Sequence, residues 1–186
     1  MPKHTHPNEP VWQLPQRLLR HTVPGHLWPW LLDRGSLTRR LQQACGKDFN
    51  VQLLRQNWAR PQRNEARALN LQLGRLALLR EVRLKCAQRD WVFARTIIPA
   101  TTLTGAERRL AGLGNRSLGS LLFRDRSLRR GALEIACLSP AHDLFQLACA
   151  NQQSTPAKIW GRRSIFFLHD KPLMVCEFFL PGVGRR

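Results

Sequence analysis

The sequence predicts a single domain of the α+β class with an antiparallel sheet. With 186 residues, the chain is long enough for one compact domain and too short for two of full size. Segments in which apolar and polar residues alternate, as in strands, occur in neighbouring pairs typical of hairpins. Helical patterns occur mainly in residues 28–45 and 104–123. Strands grouped in this way favour antiparallel pairing over parallel βαβ units.

Residues 1–27 are predicted to form an irregular arm, because they hold five prolines and show no sustained periodicity. The domain then occupies residues 28–186. Residues 28–46 are expected to form two short helical pieces, the second of which begins at the N-cap Ser36 and ends at Gly46. A strand is expected over residues 49–58, and the polar residues 59–68 are interpreted as a loop.

Two hairpins account for most of the expected sheet. The first joins strands over residues 76–84 and 91–98. The second closes the chain and has its turn at residues 169–172. A further strand is predicted over residues 133–138.

The segments between these strands are predicted to be helical in part. The T-x-x-E spacing of Thr104 and Glu107 is typical of a capping box in front of a short helix. A second short helix is expected over residues 117–123. Residues 139–158 form a long connection whose conformation the pattern leaves open.

The composition is that of a globular protein, apart from its charge. Hydrophobic residues make up 43% and charged residues 23%, which disfavours wholesale disorder, collagen and coiled coil. Lys and Arg number 30 against 12 Asp and Glu, which gives a formal net charge of +18. Such a field attracts anions, but it does not choose between nucleic acid, an acidic membrane surface and a small dicarboxylate.

The spacing of the cysteines and the length of the apolar runs indicate the cellular compartment of the protein. The chain has no apolar run of about 20 residues and no signal-peptide core at its start, so we expect a cytoplasmic protein without a membrane span. Its five cysteines include no C-x-x-C pair, which argues against a disulfide scaffold and a zinc module. All five are expected to be reduced core residues.

Three charged residues fall on strand faces that are otherwise apolar: Arg80, Arg95 and Glu177. An ionised side chain is costly to bury unless it is paired, so each needs a partner in the sheet or on a ligand. For Arg95 we favour an ion pair within the sheet. For Arg80 and Glu177 the ion pair and the ligand are equally supported by the pattern.

Common signatures of enzymes and RNA-binding proteins are missing from the sequence. It has no Walker A loop, no G-x-G-x-x-G, no G-x-S-x-G and no H-E-x-x-H motif. It also has no recognisable aromatic platform for stacking RNA bases. The pair Arg162-Arg163 and the arginines between residues 124 and 130 could hold phosphates, but we interpret both as solvated faces.

Over residues 30–181 the sequence resembles the bacterial chorismate lyases. Its matching segments stand in the family's order: WLLDRGSLTRRL, LLREVRL, WVFARTIIP, TLTGAE, LGNRSLGSLLF, LEIA, WGRRSIFF and KPLMVCEFFLP. The R-T-x-x-P hairpin end, the S-L-G-x-x-L-F segment and the terminal E-x-F-L-P are particularly specific. The arm lies outside the match.

The resemblance implies a sheet of about six strands, an internal ligand cavity and helical flaps that close over it. It also implies roles for individual residues. Arg80 is expected to bind the ring carboxylate of the substrate, helped by the backbone near Leu118 and Gly119. Glu177 is expected to meet the ring hydroxyl, and Leu37 to line the site from a flap. Arg80 and Glu177 are the predicted catalytic residues.

The activity implied is the removal of pyruvate from chorismate to give 4-hydroxybenzoate, the first step of ubiquinone biosynthesis. Because the reaction makes an aromatic ring, no metal, nucleotide or redox cofactor is expected. The expected partners are chorismate and 4-hydroxybenzoate alone, on a monomer with no specific nucleic acid. Two alternatives remain: a basic nucleic-acid-binding protein, and a non-catalytic binder of small aromatic acids.

Overall fold

The computed structural model describes residues 7–184, which form one antiparallel sheet covered by short helices. Its strands are β1 (Phe49–Ala59), β2 (Ala77–Cys86), β3 (Arg89–Pro99), β4 (Arg129–Leu138), β5 (Ile159–Leu168) and β6 (Lys171–Phe179). Its α-helices are α1 (Trp28–Leu32), α2 (Leu37–Cys45), α3 (Arg63–Ala68), α4 (Leu118–Leu122) and α5 (Asp143–Cys149). Short 3-10 helices cover Pro15–Arg17, Arg20–Thr22, Gly25–Leu27, Gly46–Asp48 and Gly105–Gly112.

The strand order across the sheet is β1-β2-β3-β6-β5-β4, and every neighbouring pair is antiparallel. The two predicted hairpins, β2–β3 and β5–β6, therefore meet at the centre of the sheet through the pairing of β3 with β6. The expected fold class and the six-stranded sheet are confirmed. Among residues 7–184, none of the helices has the length and apolar character that a membrane span requires.

The sheet buries both of its faces. On one face the aromatic rings of Phe93 and Phe178 stack with centroids 5.9 Å apart, and Trp12 and helix α5 pack over them. On the other face the helices α1, α2 and α4 cover an apolar surface that includes Val82 and Phe166. The flaps implied by the resemblance lie on this second face.

Two local predictions were wrong. Residues 59–68 are not all loop, because α3 begins there behind a capping box in which the Gln62 amide donates to Glu65 over 2.8 Å. Conversely, the side chain of Thr104 does not cap the helix that follows, which is a 3-10 helix. The carboxylate of Glu107 instead accepts hydrogen bonds from Lys171 at 2.5 Å and binds His169.

The other elements largely match their predicted positions. Ser36 caps α2 by accepting the amide of Arg39, and Gly46 ends this helix with a φ of 68°. Strand β4 is longer than predicted, since it begins at Arg129. The long connection over residues 139–158 contains α5.

The expectation of five reduced cysteines was wrong for one pair. Cys45 and Cys86 form a disulfide, and 41 residues separate them along the chain. One sits at the end of α2 and the other at the end of β2, so the bond ties this flap helix to the sheet. Cys137, Cys149 and Cys176 are free thiols.

The arm is described from residue 7 onward, so its first six residues lie outside the described part of the chain. Residues 7–27 lie against the sheet and the flaps. Gln13 exchanges backbone hydrogen bonds with Ile135 of β4, and Val23 and Leu27 are buried against the flap-side core. The boundary between arm and domain after residue 27 stays a prediction.

Candidate functional site

A cavity lies between the sheet and the flaps, with about 570 Å³ of space, part of which opens to solvent. The predicted site residues all line it: Leu37, Arg80, Leu118, Gly119 and Glu177. Alternation explains why the sheet residues meet there, because Arg80, Val82 and Leu84 leave β2 on the same side. The structure thus brings together residues that stand up to 140 positions apart in the sequence.

Arg80 is buried without a carboxylate partner among the described residues. Its side chain is fixed by Nη2, which donates to the backbone oxygens of Gly114 at 3.0 Å and Arg116 at 2.8 Å. Its Nε is buried and makes no hydrogen bond in this part of the chain. Burial lowers the pKa of Arg80 to about 10, because no anion offsets the loss of water. The cavity therefore contains an uncompensated cation.

Glu177 is paired with Arg162, which comes from the neighbouring strand β5. Nε of Arg162 lies 2.5 Å from Oε2 of Glu177. Nη1 of the same arginine donates to the backbone oxygens of Trp30 at 2.7 Å and Asp33 at 2.5 Å. The interpretation of Arg162-Arg163 as a solvated face was wrong, since Arg162 is 1% exposed and Arg163 is 7% exposed.

Arg130 also lines the cavity, although the sequence placed it in a solvated cluster. Its Nε donates to Oγ of Ser164 over 3.0 Å, and its Nη1 donates to the Asp33 carbonyl over 3.3 Å. The guanidinium stacks on the ring of Phe166, 5.1 Å from the centroid. Burial and the nearby charge of Arg162 lower the pKa of Arg130 to about 10.

The two flap helices close the cavity by touching each other. Oγ of Ser117 caps α4 by accepting the Ser120 amide, and it forms a 2.7 Å hydrogen bond with Oγ1 of Thr38 on α2. Gly119 lets the helices approach this closely, because a Cβ there would lie 2.9 Å from the Thr38 hydroxyl. Leu37 and Leu118 close the wall with apolar side chains.

Arg95 lies on the opposite face of the sheet and takes no part in the cavity. It forms ion pairs with Glu65, at 2.8 Å from Nε to Oε1, and with Glu81. These carboxylates raise its pKa despite its burial. The predicted ion pair of Arg95 is therefore confirmed, with Glu81 in the sheet and Glu65 from α3.

Sequence reasoning missed Arg162 and Arg130. A signal for the first was present, because alternation along β5 places Arg162 with Trp160 and Phe166 on one face. Arg130 had no such signal, since a register shift follows it in β4 and its neighbours are Arg129 and Gly131. Residues 7–184 contain no group of three His, Cys, Asp or Glu side chains arranged to hold a metal ion.

Comparison with known proteins identifies the family. The family described as chorismate lyase matches residues 6–185. The chain belongs to this family. The expectation that the arm lies outside the match was therefore wrong for most of its residues. A probable chorismate pyruvate-lyase from Methylococcus capsulatus is 49% identical over 154 residues, which cover 83% of this chain and 94% of that protein. One from Aromatoleum aromaticum is 40% identical over 179 residues and covers 95% of both chains.

Solved structures with much lower identity share the fold of this chorismate lyase family member. The effector domain of PhnF from Mycobacterium smegmatis is 17% identical, with a TM-score of 0.58 over 81% of this chain and 91% of that one. A GntR-family transcriptional regulator from Bacillus cereus is 11% identical, with a TM-score of 0.55 over 75% of this chain and 96% of the other. These similarities concern the fold alone.

Proposed function

We propose that the protein removes pyruvate from chorismate to leave 4-hydroxybenzoate, and that the reaction takes place in the cavity under the flaps. Family membership over nearly the whole chain supports the reaction. One structural observation supports the location: the buried guanidinium of Arg80 has no carboxylate partner among the described residues. A ligand carboxylate would supply the missing anion. In the cell we expect this reaction in the cytoplasm, as the entry to ubiquinone biosynthesis.

The charges of the cavity suit a dianion. Of the described residues that line it, three are arginines and one, Glu177, carries a carboxylate. Two positive charges are therefore in excess, and chorismate carries two carboxylates. Because Arg80 and Arg162 are buried, the attraction is stronger than it would be at the protein surface.

The orientation of the substrate follows from the polar groups at the two ends of the cavity. Arg80 presents a planar guanidinium, which suits the ring carboxylate. The amides of Leu118 and Gly119 lie in the first turn of α4, where they have no partner within the helix, and they would add donors to the same carboxylate. Glu177 then accepts the ring hydroxyl at the other end. The flaps hold the ring between these two groups.

The chemistry balances without an added reagent. The ether bond between the ring and the enolpyruvyl group breaks, and its electron pair leaves with the oxygen that becomes the pyruvate carbonyl. The ring carbon that bears the hydroxyl loses its hydrogen, and the methylene carbon of the departing pyruvate gains one. Glu177 orients the hydroxyl beside that carbon, so the protein's contribution is to position the groups and to stabilise charge.

The experiment is an assay of the purified full-length protein with chorismate. We expect 4-hydroxybenzoate and pyruvate in equal amounts. Saturable binding of chorismate without turnover would replace the proposal with the non-catalytic binder. If the protein neither bound chorismate nor turned it over, the proposal would be overturned. A salt-dependent affinity for DNA that 4-hydroxybenzoate does not affect would support the nucleic-acid alternative.

A further inference from the structure

We propose that Arg130 binds the second carboxylate of the substrate, the one on the enolpyruvyl group that is lost. This inference rests on the proposed function and assigns a substrate contact to a residue outside the predicted site. Chorismate has two carboxylates, and the pose above uses Arg80 for the ring carboxylate alone. The enolpyruvyl carboxylate therefore needs a partner of its own.

The position of the second carboxylate follows from the structure of chorismate. The enolpyruvyl ether is attached to the ring carbon next to the one that bears the hydroxyl. With the hydroxyl at Glu177, the enolpyruvyl group must lie near Glu177 and far from Arg80. Its partner should therefore be a cation at the Glu177 end of the cavity.

Arg130 and Arg162 both lie at this end. Their Nη1 atoms donate to the same oxygen, the carbonyl of Asp33, over 3.3 Å and 2.5 Å respectively. The two nitrogens are therefore at most 5.8 Å apart. Arg162 in turn holds Glu177 through its Nε. Arg130 is thus within reach of a group that adjoins the hydroxyl site.

Of these two arginines, Arg130 is the one without a carboxylate partner among the described residues. Arg162 is engaged by Glu177 and by the backbone oxygens of Trp30 and Asp33. Arg130 forms no salt bridge with any residue of the 7–184 range, and its partners are the Ser164 hydroxyl and the Asp33 carbonyl. Within this range its Nη2 makes no hydrogen bond. A carboxylate there gains a charge-assisted donor that the free protein leaves unused.

The proposal distinguishes substrate from product. Chorismate carries the enolpyruvyl carboxylate and 4-hydroxybenzoate does not. A group that binds this carboxylate must therefore support the affinity for chorismate and be indifferent to 4-hydroxybenzoate. A residue that merely shapes the cavity would affect both ligands.

The test compares Arg130→Gln with Arg129→Gln, a neighbour that is exposed and pairs with Asp170. For each protein we would measure KM for chorismate and the inhibition constant of 4-hydroxybenzoate. We expect Arg130→Gln to raise KM at least about tenfold, the size expected for the loss of a charged hydrogen bond, and to leave product inhibition within about threefold. Arg129→Gln should change neither value.

Two aromatic probes measure the same contact at equilibrium. Both are 4-hydroxybenzoates, with a carboxymethoxy group at ring position 3 in one and a methoxy group in the other. Calorimetry should show that the wild type favours the carboxymethoxy probe and that Arg130→Gln loses this preference at least about tenfold. If Arg130→Gln weakened the binding of both probes equally, or of neither probe, the proposal would be overturned.

A variant that does not fold would be recognised by circular dichroism, independently of ligand binding. Arg130→Met then replaces it, because a methionine keeps the length of the side chain and its packing on the Phe166 ring but carries no charge and no hydrogen-bond donor. The same loss of preference is expected, and an unchanged preference would contradict the proposal. If the wild type fails to turn over chorismate, the proposed function itself is at fault; if it succeeds and Arg130 proves irrelevant, only this inference fails.

Discussion

Arg162 and Glu177 face each other across β5 and β6 and form a salt bridge of 2.5 Å. The arginine is the more deeply buried partner, with 1% of its side chain exposed against 16% for the glutamate. The exposed part of the Glu177 carboxylate therefore faces the cavity, and Arg162 neutralises its charge from the buried side. This arrangement fixes the carboxylate that we place beside the ring hydroxyl.

Replacing Glu177 with Gln keeps the shape of the side chain and removes its charge. We expect kcat to fall at least about 100-fold while KM changes only a few-fold, because the charge assists the reaction more than ground-state binding. Steady-state kinetics measure both values. Glu134→Gln is the matched control, since Glu134 pairs with Arg163 outside the cavity, at 2.7 Å, and its loss should leave kcat intact. A fall in binding alone would reduce Glu177 to a positioning role.

Replacing Arg80 with Ala removes the anchor for the ring carboxylate. We expect kcat/KM to fall by a factor that corresponds to a loss of about 2 to 5 kcal/mol of transition-state stabilisation. Arg80→Lys should also be impaired, since an ammonium cannot reproduce the planar guanidinium. Unlike Arg130→Gln, both variants should lose inhibition by 4-hydroxybenzoate. Turnover at the wild-type rate in a folded Arg80→Ala protein would exclude Arg80 from the site.

Substrate affinity should depend on pH in the alkaline range. The pKa of Arg80 and that of Arg130 are both lowered to about 10, below the ordinary 12.5. A carboxylate binds the protonated guanidinium, and both carboxylates of chorismate are ionised throughout this range. KM should therefore be flat near pH 8 and rise as the pH passes about 10. Circular dichroism at each pH checks that the protein stays folded, and a flat KM up to pH 11 would contradict the prediction.

Reducing the disulfide between Cys45 and Cys86 should destabilise the protein. The bond closes a loop of 41 residues, for which chain entropy predicts a contribution of about 4 kcal/mol to the free energy of unfolding. Urea unfolding with and without a reductant measures this difference. In the double variant Cys45→Ser, Cys86→Ser the reductant should have no further effect, and Cys137→Ser should behave like the wild type. Equal stability in both conditions would contradict the prediction.

The sheet and part of the site could be predicted because strand periodicity is a local property. Alternation alone put Arg80 on the same face as Val82, and both line the cavity. The same periodicity marks Arg162, but its neighbour Arg163 made the pair look like a charged surface. Both arginines of that pair are in fact buried, on opposite faces of the sheet, each with its own carboxylate.

Other features depend on contacts that no local pattern records. Cys45 ends a helix and Cys86 ends a strand, and only the packing of α2 on the sheet brings their sulfurs together. Arg130 reaches the cavity because its side chain extends to Ser164 and to the turn at Asp33. The partners of a long side chain depend on the tertiary fold, and the sequence around Arg130 contains no sign of them.

The carbonyl oxygen of Asp33 receives hydrogen bonds from both Arg130 and Arg162. It belongs to the turn that joins α1 to α2, so the main chain of the flap is fastened to the same guanidinium groups that face the cavity. A carboxylate that binds Nη2 of Arg130, which makes no hydrogen bond within residues 7–184, leaves the Nη1 bond to this oxygen in place. Removing either guanidinium would therefore take away a support of the flap together with a positive charge of the cavity.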